Sequence, residues 1–129
     1  MTRLLIVEDQ PSDLQIAADI ARSLNVTEIE GRVSATTAKL YLDGIIDGNQ
    51  ARPDVIILDL DLGYESGHEL LRFWHSHPTL SSIPLVVWTA LGKEQQELCQ
   101  LFNVNAVVAK WEGAAALKRV LEPFTNSGI

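Results

Sequence analysis

The chain has 129 residues, 47% of them hydrophobic and 21% charged, enough to bury one core without disulfide or metal staples. Ten Lys+Arg against 17 Asp+Glu leave a formal net charge of -7, which argues against the basic face of a general nucleic-acid binder. The single cysteine, Cys99, has no intramolecular partner, and the short apolar stretch before Glu8 and Asp9 makes neither a signal peptide nor a membrane span, so a cytoplasmic protein without a membrane partner is expected.

In chain order, Leu4-Leu5-Ile6-Val7 opens with a continuous apolar run, the mark of a strand buried on both faces. Pro11 and Ser12 then start a helix whose apolar stripe is Leu14, Ala17, Ala18 and Ala21. Alternation from Ile29 to Val33 predicts an edge strand, and Ala38, Tyr41, Leu42, Ile45 and Ile46 a second helix. After Pro53 comes Val55-Ile56-Ile57-Leu58, a second buried strand, followed by a helix with Gly67, Leu70, Leu71 and Trp74 inward and Ser66 as its N-cap. Pro84 precedes the strand Leu85-Val86-Val87-Trp88. A mostly polar helix from Lys93 to Phe102 keeps Leu98, Leu101 and Phe102 on its thin apolar side. Ala106-Val107-Val108-Ala109 is the last strand, and Ala114, Leu117, Leu121 and Phe124 mark the last helix. Five strands each followed by a helix, joined by right-handed crossovers, make an α/β domain with a doubly wound parallel sheet covered on both faces. One domain over residues 1–124 and a short polar tail over 125–129 are expected.

Ligands bind such sheets beyond the carboxyl ends of the strands. Those ends read Glu8-Asp9, Asp59-Leu60-Asp61, Thr89-Ala90 and Lys110: four carboxylates, a hydroxyl and an ammonium on one edge. Clustered carboxylates repel and raise one another's pKa, and a hard divalent cation with all-oxygen ligands relieves the repulsion, which points to Mg²⁺. With Lys110 and Thr89 facing a bound phosphoryl group, the set suits phosphoryl transfer to a carboxylate. Other features have plainer readings. His75-Ser76-His77 sits before Pro78 and reads as a solvated turn rather than a metal pair. Trp74, Trp88 and Tyr41 read as packing, and Cys99 lacks charged neighbours that would make it reactive. Neither a G-x-G-x-x-G nor a P-loop is present, which sets aside a Rossmann nucleotide site.

Over nearly its whole length the sequence resembles the receiver (CheY-like) domains of bacterial two-component response regulators. The resemblance is carried by Glu8-Asp9, by Asp59 with Gly67 eight residues on, by Thr89-Ala90 and by Lys110, in that order and at strand ends. It implies a flavodoxin-like sheet of order 2-1-3-4-5. It implies that Asp59 is the phosphoacceptor, taking a phosphoryl group from a sensor histidine kinase or phosphotransfer protein. Asp9 matches a direct Mg²⁺ ligand, Glu8 one acting through water, and the Asp61 backbone carbonyl a third protein ligand beside Asp59. Thr89 and Lys110 match the hydroxyl and ammonium that contact the phosphoryl group. The chain would then phosphorylate and slowly dephosphorylate itself without being a turnover enzyme, and would signal by conformational change to a protein partner, binding no nucleic acid itself.

Three departures stand out. Trp111 follows Lys110 where the family has proline, so the Lys110–Trp111 bond is expected to be trans, since cis costs roughly 2.5–4 kcal/mol before a non-proline residue. Val107 stands where a switching aromatic ring is common, and Asp61 where many members carry a neutral residue. Trp111 or Trp88 is left to report phosphorylation. Val107 and Trp111 also keep open a receiver-fold interaction module that no longer takes phosphate. A haloacid-dehalogenase-like phosphatase shares the Asp-x-Asp of Asp59 and Asp61, but there it comes on the first strand and the acidic pair last; here the order is reversed.

Overall fold

The computed structural model describes residues 2–125. Thr125, expected to begin the tail, is buried at the end of the 3₁₀ turn Glu122–Phe124, and the rest of that expected tail lies outside the described residues.

Five strands form one parallel sheet: β1 (Arg3–Val7), β2 (Glu28–Arg32), β3 (Val55–Leu58), β4 (Leu85–Thr89) and β5 (Ala106–Ala109), in the order β2-β1-β3-β4-β5. Side chains alternate across the sheet, so a strand covered on both faces is apolar at every position. Leu5, Val7, Ile56, Leu58, Leu85 and Val87 face the helices α2 (Ala35–Asp47) and α3 (Gly67–Ser76), meeting Ala38, Leu42, Ile45, Leu71 and Trp74. Leu4, Ile6, Val55, Ile57, Val86 and Trp88 face the other way, toward α1 (Pro11–Ser23) and α5 (Ala114–Leu121), meeting Ala17, Ala21, Leu117 and Leu121. The edge strand β2 is only half buried, and begins and ends one residue earlier than its alternation suggests. Its charges blunt the open edge: Arg3 pairs with Glu28, and Arg32 with Glu30 at 3.1 Å.

Local signals hold where predicted. Pro11 opens α1, and the Ser66 hydroxyl accepts the His68 N–H at 3.1 Å to cap α3. The polar fourth helix, α4 (Lys93–Cys99), is shorter than its pattern, because Gln100–Phe102 tightens into a 3₁₀ turn that stops at Asn103 in the left-handed region, φ 57°. The last helix likewise gives way at Leu121 to a 3₁₀ turn holding Pro123, which supplies no N–H to continue it. Two features have no counterpart in the periodicity: one helical turn over Pro78–Ser81, and a hairpin pairing Asp61–Leu62 with Glu65–Ser66. The hairpin matters because it lies between Asp59 and α3. No described helix is long and apolar enough to cross a membrane.

Candidate functional site

The carboxyl ends of β1, β3, β4 and β5 meet at one edge of the sheet. β1 runs on past Val7 through a hydrogen bond from the Glu8 N–H to the Arg32 carbonyl, and β3 past Leu58 through one from the Asp59 N–H to the Val7 carbonyl. These ladder bonds fix the backbone under both acids. Glu8 is 1% exposed and Asp59 3%, so two carboxylates are held almost out of water. Half-buried Asp9 completes a cluster in which one oxygen from each of Glu8, Asp9 and Asp59 lies within 4.8 Å of the others.

The compensating charge is Lys110. Its Nζ donates to Glu8 Oε1 at 2.7 Å, to Asp59 Oδ2 at 2.9 Å and to Asp13 Oδ2 at 2.7 Å, and lies 5.0 Å from the centre of the Trp88 ring. Burial pulls the ammonium's pKa down, but the hydrogen bonds to Asp13, Glu8 and Asp59 outweigh it and hold the pKa above its ordinary value. Glu8 shows the opposite balance. Burial dominates and, with the neighbouring Asp59 charge, pushes its carboxyl up to about 8 despite the bond to Lys110. Four acids, Glu8, Asp9, Asp13 and Asp59, gather around one lysine, more acid than a single ammonium can compensate. A hard divalent cation on the Glu8–Asp9–Asp59 oxygens fits that donor set.

The loop after Asp59 is built to stay close. Asp59 Oδ1 accepts the Asp61 N–H at 3.0 Å, and the Gly67 N–H returns to the Leu60 carbonyl at 2.9 Å. A Cβ on Gly67 would lie 2.5 Å from the Asp59 carbonyl oxygen and 2.6 Å from Leu60 Cα, so only glycine lets α3 begin against the strand end. Gly63, at φ +71° in the hairpin turn, passes beside Asp9, whose Oδ2 would stand 3.3 Å from a Cβ there.

Not every strand-end residue joins the cluster. The Asp61 side chain is exposed and turns toward the hairpin, where Oδ1 accepts the Gly63 N–H at 3.4 Å. Thr89 is fully buried at the end of β4, and its hydroxyl accepts the Leu91 N–H at 3.2 Å; among the described residues it makes no hydrogen bond to Asp59 or Lys110. The member that strand-end reasoning missed is Asp13, because it stands in the first turn of α1 rather than on a strand. Its only sequence signal is an acid four positions after Asp9, where it also suits the positive end of the helix dipole.

No described peptide bond is cis, so Lys110–Trp111 is trans as expected, and a 3₁₀ turn over Lys110–Glu112 keeps the ammonium at the acids. Trp111 is 64% exposed, whereas Trp88 is buried, with its indole N–H unpartnered. Elsewhere the plain readings suffice. Trp74 donates to the Ile83 carbonyl at 3.0 Å, and the His75 and His77 rings bond the Phe102 and Phe73 carbonyls. Cys99 is a buried free thiol whose pKa burial raises, which disfavours the thiolate.

A five-stranded 2-1-3-4-5 sheet with clustered acids, a threonine and a lysine at its carboxyl edge is the arrangement of the CheY-like receiver domains of response regulators, and the chain is similar to them in fold and in sequence. Among known proteins the chain is 29% identical over 111 residues to the response regulator Rcp1 of Synechocystis sp. (strain ATCC 27184 / PCC 6803 / Kazusa), covering 83% of this chain and 75% of that one. The phosphorylated cyanobacterial phytochrome response regulator RcpA superposes with a TM-score of 0.79 at 28% identity, over 95% of this chain and 89% of that one. The Mn²⁺-bound form of Rcp1 gives a TM-score of 0.80 at 24% identity, over 95% and 91%. No protein-family model matches the chain.

Proposed function

We propose that the chain is a phosphoacceptor receiver. An Asp59 carboxylate oxygen attacks the phosphorus of a phosphohistidine on a sensor kinase or phosphotransfer protein. The new O–P bond forms as the N–P bond breaks, and the imidazole leaves with the electron pair. The observation that carries this reading is the Lys110 ammonium on buried Asp59 at 2.9 Å, beside the Glu8–Asp9 pair. Glu8, Asp9, Asp59 and the Asp61 backbone carbonyl would hold Mg²⁺, which supplies charge neutralisation at the phosphoryl oxygens. Relatives crystallised with Mn²⁺ and in a phosphorylated form support it. Lys110 stabilises the charge that builds up on the transferring group, and Thr89 turns its hydroxyl from the Leu91 turn toward the phosphoryl oxygen. The acyl phosphate is then hydrolysed slowly by the domain itself, without turnover of other substrates, and its lifetime sets the signal passed to a protein partner in the cytoplasm.

Acetyl phosphate with Mg²⁺ tests the reading. Intact mass gains one phosphoryl group, and Asp59→Asn removes the gain. An unmodified mass, with Mg²⁺ binding shown separately, refutes it in favour of an interaction module that no longer takes phosphate.

A further inference from the structure

Lys110 brings an ammonium with three N–H donors on a flexible four-carbon stem, and each donor has a carboxylate: Glu8, Asp59 and Asp13. Glu8 and Asp59 are also the acceptors for which a cation or an incoming phosphoryl group competes. Asp13 is not. It stands outside the Glu8–Asp9–Asp59 cluster, on the first turn of α1, where helical backbone fixes its direction. Its bond to Lys110 is as short as that of Glu8, both at 2.7 Å, in the range of charge-assisted hydrogen bonds. The Trp88 face supports the same ammonium from 5.0 Å, and Trp88 is itself buried in the core on the face of the sheet that α1 and α5 cover. Asp13 and Trp88 are thus the two supports of Lys110 that phosphoryl transfer leaves in place.

We propose that Asp13 is a positioning residue for phosphoryl transfer: its carboxylate, with the Trp88 ring, holds the Lys110 ammonium over Asp59. The proposal rests on the receiver reading above. Because the ammonium has three donors, its bond to Asp13 does not compete with one to the phosphoryl group. Asp13 holds one donor and orients the lysine, and a donor given up by Glu8 or Asp59 serves the reacting oxygen.

The test is a double-mutant cycle on the full chain, with Asp13→Asn and Lys110→Met singly and together, read by the rate of phosphorylation from acetyl phosphate at saturating Mg²⁺. Asp13→Asn is expected to slow the rate about tenfold in the presence of Lys110, and by less than about twofold when residue 110 is methionine. Asp13→Glu, which keeps the charge, recovers part of the rate. The same cycle read by beryllofluoride affinity covers a Lys110→Met rate too slow to follow. A loss of equal size in both backgrounds assigns Asp13 a merely structural role and overturns the proposal. So does an Asp13→Asn rate equal to wild type beside a phosphorylated wild type, which leaves the receiver reading standing. A wild type that binds Mg²⁺ yet takes no phosphoryl group overturns both.

Discussion

Two glycines with the same nominal crowding are expected to respond in opposite directions to alanine. At Gly67 the added Cβ would stand 2.5 Å from the Asp59 carbonyl oxygen, about 0.9 Å inside the 3.4 Å at which ordinary contact begins, and 2.6 Å from Leu60 Cα. Both neighbours are backbone, pinned by the Asp59–Val7 ladder bond and by the Gly67–Leu60 bond, so relief requires moving the strand end that carries Asp59. Overpacking against rigid neighbours costs about 1–3 kcal/mol, and here a 2.9 Å hydrogen bond is strained as well, so about 3 kcal/mol is expected. For a domain of this size that lowers Tm by roughly 9–15 °C. At Gly44 the Cβ would also meet an atom at 2.5 Å, but it is Cγ of Gln50, an exposed side chain that can change rotamer. Gly44 lies inside α2, where alanine is the better helix former by about 0.5–1 kcal/mol, so Gly44→Ala is expected between neutral and that much more stable. Urea denaturation of both variants, with equal slopes, gives the comparison directly. A Gly67→Ala protein as stable as Gly44→Ala refutes the reasoning, because it means that the strand end yields without cost.

Two further predictions concern the charges. Lys110→Met leaves Asp59 buried without its cation and is expected to cost about 2–4 kcal/mol at neutral pH, read as a lower urea midpoint that Mg²⁺ largely restores; an unchanged midpoint refutes it. Glu8, raised to about 8 from 4.5, binds its proton in the folded but not the unfolded chain between those values, so it makes metal-free stability fall as pH rises through that window. The same proton competes with the cation, so the Mg²⁺ affinity should climb between pH 6 and 9, and Glu8→Gln should flatten both profiles. Calorimetric titration at several pH values, in which wild type and Glu8→Gln change alike, places the proton elsewhere.

Much of the molecule was legible from residues alone, for a definite physical reason. A strand covered on both faces must be apolar at every position, so β1, β3, β4 and β5 announce themselves as runs, and a parallel sheet then places its functional groups at the ends of those runs. Of the residues that this rule and the family resemblance pick out, Glu8, Asp9, Asp59 and Lys110 come together in the structure, whereas the Thr89 hydroxyl turns to the Leu91 N–H. Where pattern and structure part, the deciding interactions are not local. The alternation around Ile29 placed β2 one residue late, because its bounds depend on pairing with Arg3–Val7. Asp61, Leu62, Glu65 and Ser66 are too short a stretch for periodicity, yet they pair because α3 must return to Leu60. Asp61 and Asp59 look alike as strand-end acids, but only the folded loop turns one out to the hairpin and buries the other. Asp13 lies 97 residues from Lys110, and Glu8 lies 102 from it, separations across which no spacing rule operates. Sequence determined the element types and the chemistry gathered at one edge, because both follow from burial and strand direction. Which acids share the single ammonium was decided only when the tertiary packing set α1 against α5, brought Asp13 to Lys110 and placed the Trp88 ring beside the ammonium.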